Sequence, residues 1–133
     1  MKCSTILILI FLLTSCNKMK NNEQTEADKF WTKYLEALKK MNTEYLIENS
    51  FDSIQCGDCA IESINPSEFY NSREFFNNHF DKLMNRAIYQ SKYSIYDNND
   101  TVRINYNLGN SNRIYTLVKI ENKYKFHGTF PVP

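Results

Sequence analysis

Two closely spaced cysteines are the first candidates for chemistry in this sequence. Cys56 and Cys59 flank Gly57-Asp58, and this is the spacing of a redox-active dithiol. Cysteines on either side of a two-residue turn also lie close enough to form a structural disulfide. Redox catalysis would need a helix directly after the motif. Because residues 60–66 look too short and too β-like to form that helix, we expect the disulfide.

The same two cysteines have a second alternative role as metal ligands. Together with His79 and His127 they would supply the two sulfurs and two nitrogens of a tetrahedral zinc site. The two histidines stand singly in the sequence, far from each other and from the cysteines. The spacing therefore gives no support to zinc, and we expect neither a metal nor a cofactor.

The two remaining cysteines, Cys3 and Cys16, lie in an amino-terminal stretch that looks like an export signal. Lys2 gives a positive start, and residues 6–13 are an unbroken apolar run, which is the layout of a secretory signal peptide. A membrane helix needs about 20 apolar residues. The run is therefore too short to be a spanning anchor.

The end of this signal, Leu13-Thr14-Ser15-Cys16, resembles the lipobox of bacterial lipoproteins. The resemblance implies cleavage before Cys16 and a diacylglycerol on its thiol, so that a membrane becomes the partner of the mature chain. We expect residues 1–15 to be the signal peptide, 16–24 the lipidated cysteine and a flexible tether, and 25–133 one folded domain. Disulfides persist in such a compartment.

The tether also bears on localisation within the bacterial cell envelope. Surface-displayed lipoproteins of some bacterial groups resemble one another in an acidic run after the cysteine, whereas this tether carries Lys18 and Lys20. We therefore expect a periplasm-facing anchor, on the outer membrane in a Gram-negative cell.

The charge balance disfavours one large class of partners. The chain has 16 Lys plus Arg and 15 Asp plus Glu, and removal of Lys2 with the signal would make the two equal. No basic excess would remain to neutralise phosphates, so we expect no nucleic-acid partner.

Periodicity predicts helices in the first part of the folded region. Thr25 and Asn42 each supply a capping residue before an apolar pattern of helical spacing, which predicts a long and then a short helix. A small hairpin is predicted around Gly57-Asp58. A third helix is predicted from Asn71, with these side chains on one stripe: Phe75, Phe76, His79, Phe80, Leu83, Met84 and Ala87 or Ile88.

From Tyr89 onwards the apolar period changes to two, which predicts four strands. Short polar links at 97–100, 109–112 and 121–122 require antiparallel neighbours. The predicted class is therefore α+β, with amino-terminal helices packed on a curved antiparallel sheet in one domain.

This order of elements resembles the α+β cone of nuclear transport factor two and ketosteroid isomerase, and cystatin-like sheets fit nearly as well. The cone resemblance implies a pocket at the open end, where a carboxylate or histidine held among apolar groups could act as acid or base. The candidate residues are Asp52, Asp58, Glu62, His79 and His127, with Tyr34, Tyr93 and Tyr106 as hydrogen-bond donors.

No motif fixes a catalytic residue among these candidates. We therefore expect a non-catalytic envelope lipoprotein that binds a small ligand or an envelope protein. The alternatives are a small acid-base enzyme with its site inside the cone, and an inhibitor or immunity lipoprotein that blocks a partner protein.

Overall fold

The computed structural model describes residues 25–62, 68–83, 86–109 and 111–132. The predicted signal peptide, the lipidation site Cys16 and the tether lie outside these ranges. The helices are α1 (Glu26–Lys39), α2 (Thr43–Glu48), α3 (Gly57–Glu62) and α4 (Ser72–Asn78), with 3₁₀ turns at Phe80–Lys82 and Arg86–Tyr89. The strands are β1 (Ser50–Cys56), β2 (Phe69–Asn71), β3 (Tyr93–Asn98), β4 (Thr101–Asn107), β5 (Asn112–Ile120) and β6 (Lys123–Val132).

The first two helices begin where the capping residues predict. Thr25 Oγ1 accepts the backbone N–H of Asp28 at 3.2 Å, and Asn42 Oδ1 accepts that of Tyr45 at 3.2 Å. Each bond satisfies an N–H that has no partner within its helix. The buried side of α1 consists of Ala27, Trp31, Tyr34, Ala37 and Leu38.

The predicted hairpin around Gly57-Asp58 is wrong. Cys56 ends β1, and Gly57 begins the six-residue helix α3. Strand β1 pairs instead with β2 on one side and with β6 on the other. The turn signal of the Gly-Asp pair was therefore overridden by pairing with strands distant in sequence.

The third predicted helix is shorter than its apolar stripe suggests. Helix α4 ends at Asn78, and His79 is its C-cap. Asn77 and Asn78 are poor helix formers because their amides compete for backbone hydrogen bonds. The apolar residues farther along, including Phe80 and Ile88, lie in the two 3₁₀ turns, and the predicted stripe residue Met84 lies outside the described residues.

All six strands form one sheet in the order β2-β1-β6-β5-β4-β3. The last four make the predicted antiparallel meander, with tight turns at Asn99 and at Glu121-Asn122, where φ is positive. Strand β1 runs parallel to β6, so the sheet as a whole is mixed. The parallel pair places β1, the first strand in the sequence, next to β6, the last.

One face of the sheet is covered by helices and forms the core. Trp31 of α1 contacts the rings of Tyr106 and Tyr115, and Tyr34 contacts the ring of Phe126. Leu38, Leu46, Ile54 and Leu117 are fully buried in the same cluster. The α+β class predicted from the sequence, with helices packed on a sheet in one domain, is confirmed.

Within the described residues, no helix is both long and apolar enough to span a membrane.

Candidate functional site

The acidic candidate Asp58 is held by an arginine near one end of the core. Its carboxylate forms an ion pair with Arg113 of β5, and both side chains are largely buried. The same guanidinium donates to the carbonyl of Lys82 at 3.1 Å and to Thr129 Oγ1 at 3.3 Å. Arg113 thus joins α3, a 3₁₀ turn and β6. Because its carboxylate is paired with Arg113, Asp58 has a structural role in this arrangement.

The tyrosine candidates also have partners inside the core. Tyr93 donates to Asp28 Oδ1 at 2.5 Å, and Tyr106 Oη accepts the indole N–H of Trp31 at 2.8 Å. Burial is the main cause that raises the pKa of both tyrosines above the usual value, and the hydrogen bond to Asp28 adds to the rise at Tyr93. Both hydroxyls therefore stay protonated at neutral pH.

Tyr34 lies deeper than the other two tyrosines. Its hydroxyl is 2.8 Å from Ser50 Oγ, which itself donates to the carbonyl of Leu46 at 2.6 Å. Tyr34 is therefore the donor to Ser50, and burial raises its pKa well above the usual value. This chain of bonds fixes α1 against the start of β1.

The two histidines lie against different aromatic rings. His79 contacts Tyr70, with ring centroids 4.5 Å apart, and His127 meets Phe51 edge-on at 5.2 Å. Burial lowers the pKa of His127. Asp52 is exposed on β1, while the side chain of Glu62 is outside the described part. The structure therefore gathers the described acid-base candidates into no common site.

Cys56 and Cys59 are joined by a disulfide with an S–S distance of 2.03 Å. The backbone N–H of Cys59 also donates to Cys56 Sγ at 3.3 Å. Contrary to our expectation, a helix does begin within this motif, at Gly57, but the two cysteines are only 0% and 3% exposed. Thiol–disulfide exchange needs an attacking thiolate to reach a sulfur, so burial favours the structural role. The described residues offer no cluster of three metal-ligating side chains.

One buried hydroxyl in the core lacks a partner. Tyr115 is fully buried, and its Oη has no hydrogen bond among the described residues. Burial raises its pKa, while the charge of Arg113 acts in the opposite direction.

A cavity of about 490 Å³ lies at the β3–β4–β5 end of the sheet. Its central row, Ser94–Asn105–Ile114, follows the strand register. Each of these residues alternates with a core residue, so the row lies on the face opposite α1. We call this cavity the outer basin; the residues around it are Lys92, Tyr93, Ser94, Tyr96, Asn105, Tyr106, Asn107, Asn112, Arg113 and Ile114.

The lining of the outer basin mixes polar with apolar groups and carries little charge. It includes the amides of Asn105, Asn107 and Asn112 and the hydroxyl of Ser94, and no carboxylate lies among its residues. Asn105 Oδ1 is buried and lacks a hydrogen-bond partner among the described residues. Such groups bind through hydrogen bonds and offer no general base of useful pKa. The outer basin is therefore suited to binding.

No family model matches this chain, and no curated protein matches it. One solved structure, a de novo designed protein with a curved β-sheet, is similar to it with a TM-score of 0.50 and 15% sequence identity. The match covers 81% of this chain and 98% of the designed one. The likeness concerns the fold alone, and it agrees with the predicted curved sheet.

The sequence analysis missed the outer basin because its residues follow an ordinary pattern. Asn105 and Asn107 alternate with Ile104 and Tyr106, as solvent-facing residues of any half-buried strand do. One available signal was the abundance of asparagine in β4 and at the start of β5. Only the strand register shows that Asn107 and Asn112 are directly opposite each other.

Proposed function

We propose that this protein is a lipoprotein of the bacterial cell envelope whose folded domain binds a small ligand in the outer basin without catalysing a reaction. The observation that carries the binding part is the cavity of about 490 Å³ with its amide lining. Small-molecule sites typically occupy roughly 300–1,000 Å³. The volume is therefore adequate for a ligand of one or two rings.

The core supports a binding role more than a catalytic one. Two carboxylates lie near the tyrosines of the core. Asp28 accepts a hydrogen bond from Tyr93, and Asp58 forms an ion pair with Arg113. A general base needs a lone pair that can reach substrate. Each carboxylate is instead held by a partner that joins parts of the fold, and the enzyme alternative has no other carboxylate or histidine gathered with them in the described core.

The envelope part of the proposal depends on the signal-like segment and on Cys16, both outside the described residues. Acyl chains at one thiol would hold the domain at a membrane, since each buried methylene contributes about 0.8 kcal/mol. The tether of residues 17–24 would separate the lipid from α1. A periplasmic-facing position agrees with the lysines of this tether.

Metabolic labelling with tagged palmitate tests the anchor. We expect label on the wild-type protein and on Cys3→Ala, and no label on Cys16→Ala, which should also leave the membrane fraction. Cys3→Ala is the matched control because it changes the other cysteine of the amino-terminal segment. An unlabelled wild-type protein, or a labelled Cys16→Ala variant, would refute anchoring through Cys16.

A fragment screen followed by NMR tests the binding role. Ligands that bind should shift the amide resonances of Ser94, Asn105 and Ile114 and leave those of the opposite sheet edge, Phe69–Asn71, in place. Shifts confined to the core around Asp28 or Asp58 would favour the enzyme alternative instead.

A further inference from the structure

The ligand class of the outer basin can be inferred from its side chains, an inference that rests on the proposed function. We infer that the outer basin binds a neutral saccharide unit. Three features of the described residues support this ligand. The lining has side chains that both donate and accept hydrogen bonds, one buried acceptor in the outer basin has no partner, and an exposed aromatic ring lies at the sheet edge.

The lining groups match sugar hydroxyls in kind. The amides of Asn105, Asn107 and Asn112 and the hydroxyl of Ser94 each combine donor and acceptor capacity. A sugar hydroxyl has the same dual capacity, whereas a phosphate or carboxylate only accepts. Asn107 Oδ1 already accepts the Gly109 N–H at 3.1 Å, which fixes this side chain at the rim.

The floor of the outer basin contains an unmet acceptor. Asn105 Oδ1 is buried without a hydrogen-bond partner among the described residues, and such a group is costly unless a donor reaches it. Asn105 lies on β4, between Ser94 on β3 and Ile114 on β5. A hydroxyl that enters the outer basin can donate to this oxygen, whereas an ionised carboxylate or phosphate oxygen cannot.

The positive charge around the outer basin is too small to select an anion. Its cationic residues are Lys92 and Arg113, and the Arg113 guanidinium is paired with Asp58 on the core side. Anion recognition usually relies on charge-assisted, bidentate bonds from arginine. A neutral ligand is therefore the better match.

Tyr96 supplies an apolar surface beside these polar groups. It lies on the edge strand β3 with 59% of its surface exposed. The C–H face of a pyranose ring is flat and apolar, and stacking it on an aromatic ring removes both surfaces from water. A mixed surface of this kind suits a ring that is apolar on its face and polar around its rim.

An extended peptide added to the β3 edge is the competing occupant. Such a peptide would bond to the backbone of the edge strand. The outer basin instead extends inward over three strands, to Asn112 and Ile114 on β5, about 10 Å from the edge at the usual strand spacing. Edge pairing would leave the Asn105 and Asn112 amides unused, so the saccharide is favoured.

The test is a titration of the full chain in a detergent without a sugar headgroup. The probes are neutral mono- and disaccharides of the gluco, galacto and manno series with their N-acetyl forms, glucuronic acid, and a valine–alanine hexapeptide. We expect at least one neutral sugar to shift the Asn105 and Asn112 side-chain amide resonances. The peptide should leave them unchanged, and glucuronic acid should bind no more tightly than the neutral sugars of the gluco series.

Substitutions assign the binding to the outer basin. Asn105→Leu and Tyr96→Ala should each weaken sugar binding about tenfold, the loss expected from one or two interactions. Asn112→Leu, at the exposed rim, repeats the test without touching the floor. The matched controls are Asn77→Leu on α4 and Phe69→Ala on the opposite edge strand, an exposed aromatic at 53%, and both should bind as wild type does.

The outcomes separate the two proposals. Shifts in the outer basin caused only by glucuronic acid or the peptide would overturn the neutral saccharide and leave ligand binding in place. If no probe or screened fragment shifts these residues, both the saccharide and the small-ligand function fail. Sugar binding that survives Asn105→Leu, Tyr96→Ala and Asn112→Leu would also overturn this site assignment.

Discussion

At the scale of single residues, the buried hydroxyls of Tyr106 and Tyr115 provide a direct comparison. Their rings are in contact, with centroids 5.7 Å apart and nearly perpendicular planes. Tyr106 accepts a hydrogen bond from Trp31, whereas Tyr115 Oη has no partner among the described residues. The two hydroxyls therefore contribute differently to stability although their surroundings are similar.

Replacing each tyrosine by phenylalanine should separate these contributions. Tyr106→Phe leaves the indole N–H of Trp31 buried without an acceptor, which should lower the free energy of unfolding by about 1–3 kcal/mol. Tyr115→Phe removes an unsatisfied hydroxyl and should leave the free energy of unfolding unchanged or raise it. Urea unfolding at 25 °C measures both, and equal losses would show that Tyr115 Oη has a partner in solution.

At the scale of elements, Gly128 permits the close approach of β1 to β6. It pairs with Gln55 in the parallel register, and a Cβ added there would lie 2.5 Å from the Gln55 carbonyl oxygen and 3.0 Å from its Cβ. Backbone cannot move away cheaply inside a sheet. The parallel pairing, which the sequence analysis did not predict, therefore depends on a residue without a side chain.

The variant Gly128→Ala tests this dependence. We expect it to lower the free energy of unfolding by about 1–3 kcal/mol, as overpacking does, and to speed hydrogen exchange along β1. Gly109→Ala is the control, because its Cβ would meet nothing within 4 Å and only its positive φ of 83° resists alanine. It should leave exchange along β1 unchanged. Slow exchange along β1 in Gly128→Ala would contradict the close contact.

The helices and strands also show what sequence patterns could predict. Capping residues and apolar periods located α1, α2 and the meander, because those elements are set by local propensity and by one buried face. The hairpin prediction at Gly57-Asp58 was wrong because turn residues report only a local backbone preference. The parallel partner of β1 lies some 70 residues away, in β6. Long-range pairing decided that segment.

The candidate site was less predictable than the fold. Asp58, Tyr93 and Tyr106 were selected for an open pocket, and each instead has a partner that holds the core together. The outer basin needs the three-strand register of Ser94, Asn105 and Ile114. An apolar period of two shows on which face of its strand a residue lies. It does not show which residues of the adjacent strands lie beside it.

At the scale of the whole molecule, helices and sheet share one core. Trp31, the sole tryptophan of the chain, is fully buried between α1 and the strands β4 and β5. Its ring contacts depend on elements from both halves of the sequence. The described domain therefore has no obvious part that could remain folded alone.

This arrangement predicts one cooperative unfolding transition. Tryptophan fluorescence reports the packing of α1 on the sheet, and far-ultraviolet circular dichroism reports all secondary structure. Their midpoints in urea should coincide, as in a two-state domain of this size. Two separated midpoints would show that the meander or the helices unfold independently.

The position of β6 has a further consequence for how the chain matures. It is the last of the six strands in sequence but lies between β1 and β5, so the six-stranded order cannot form until this strand is in place. Contacts between distant segments also slow folding. Without β6, strand β1 with its neighbour β2 has no bonded link to the strands β3, β4 and β5, so one strand unites two separate parts of the sheet.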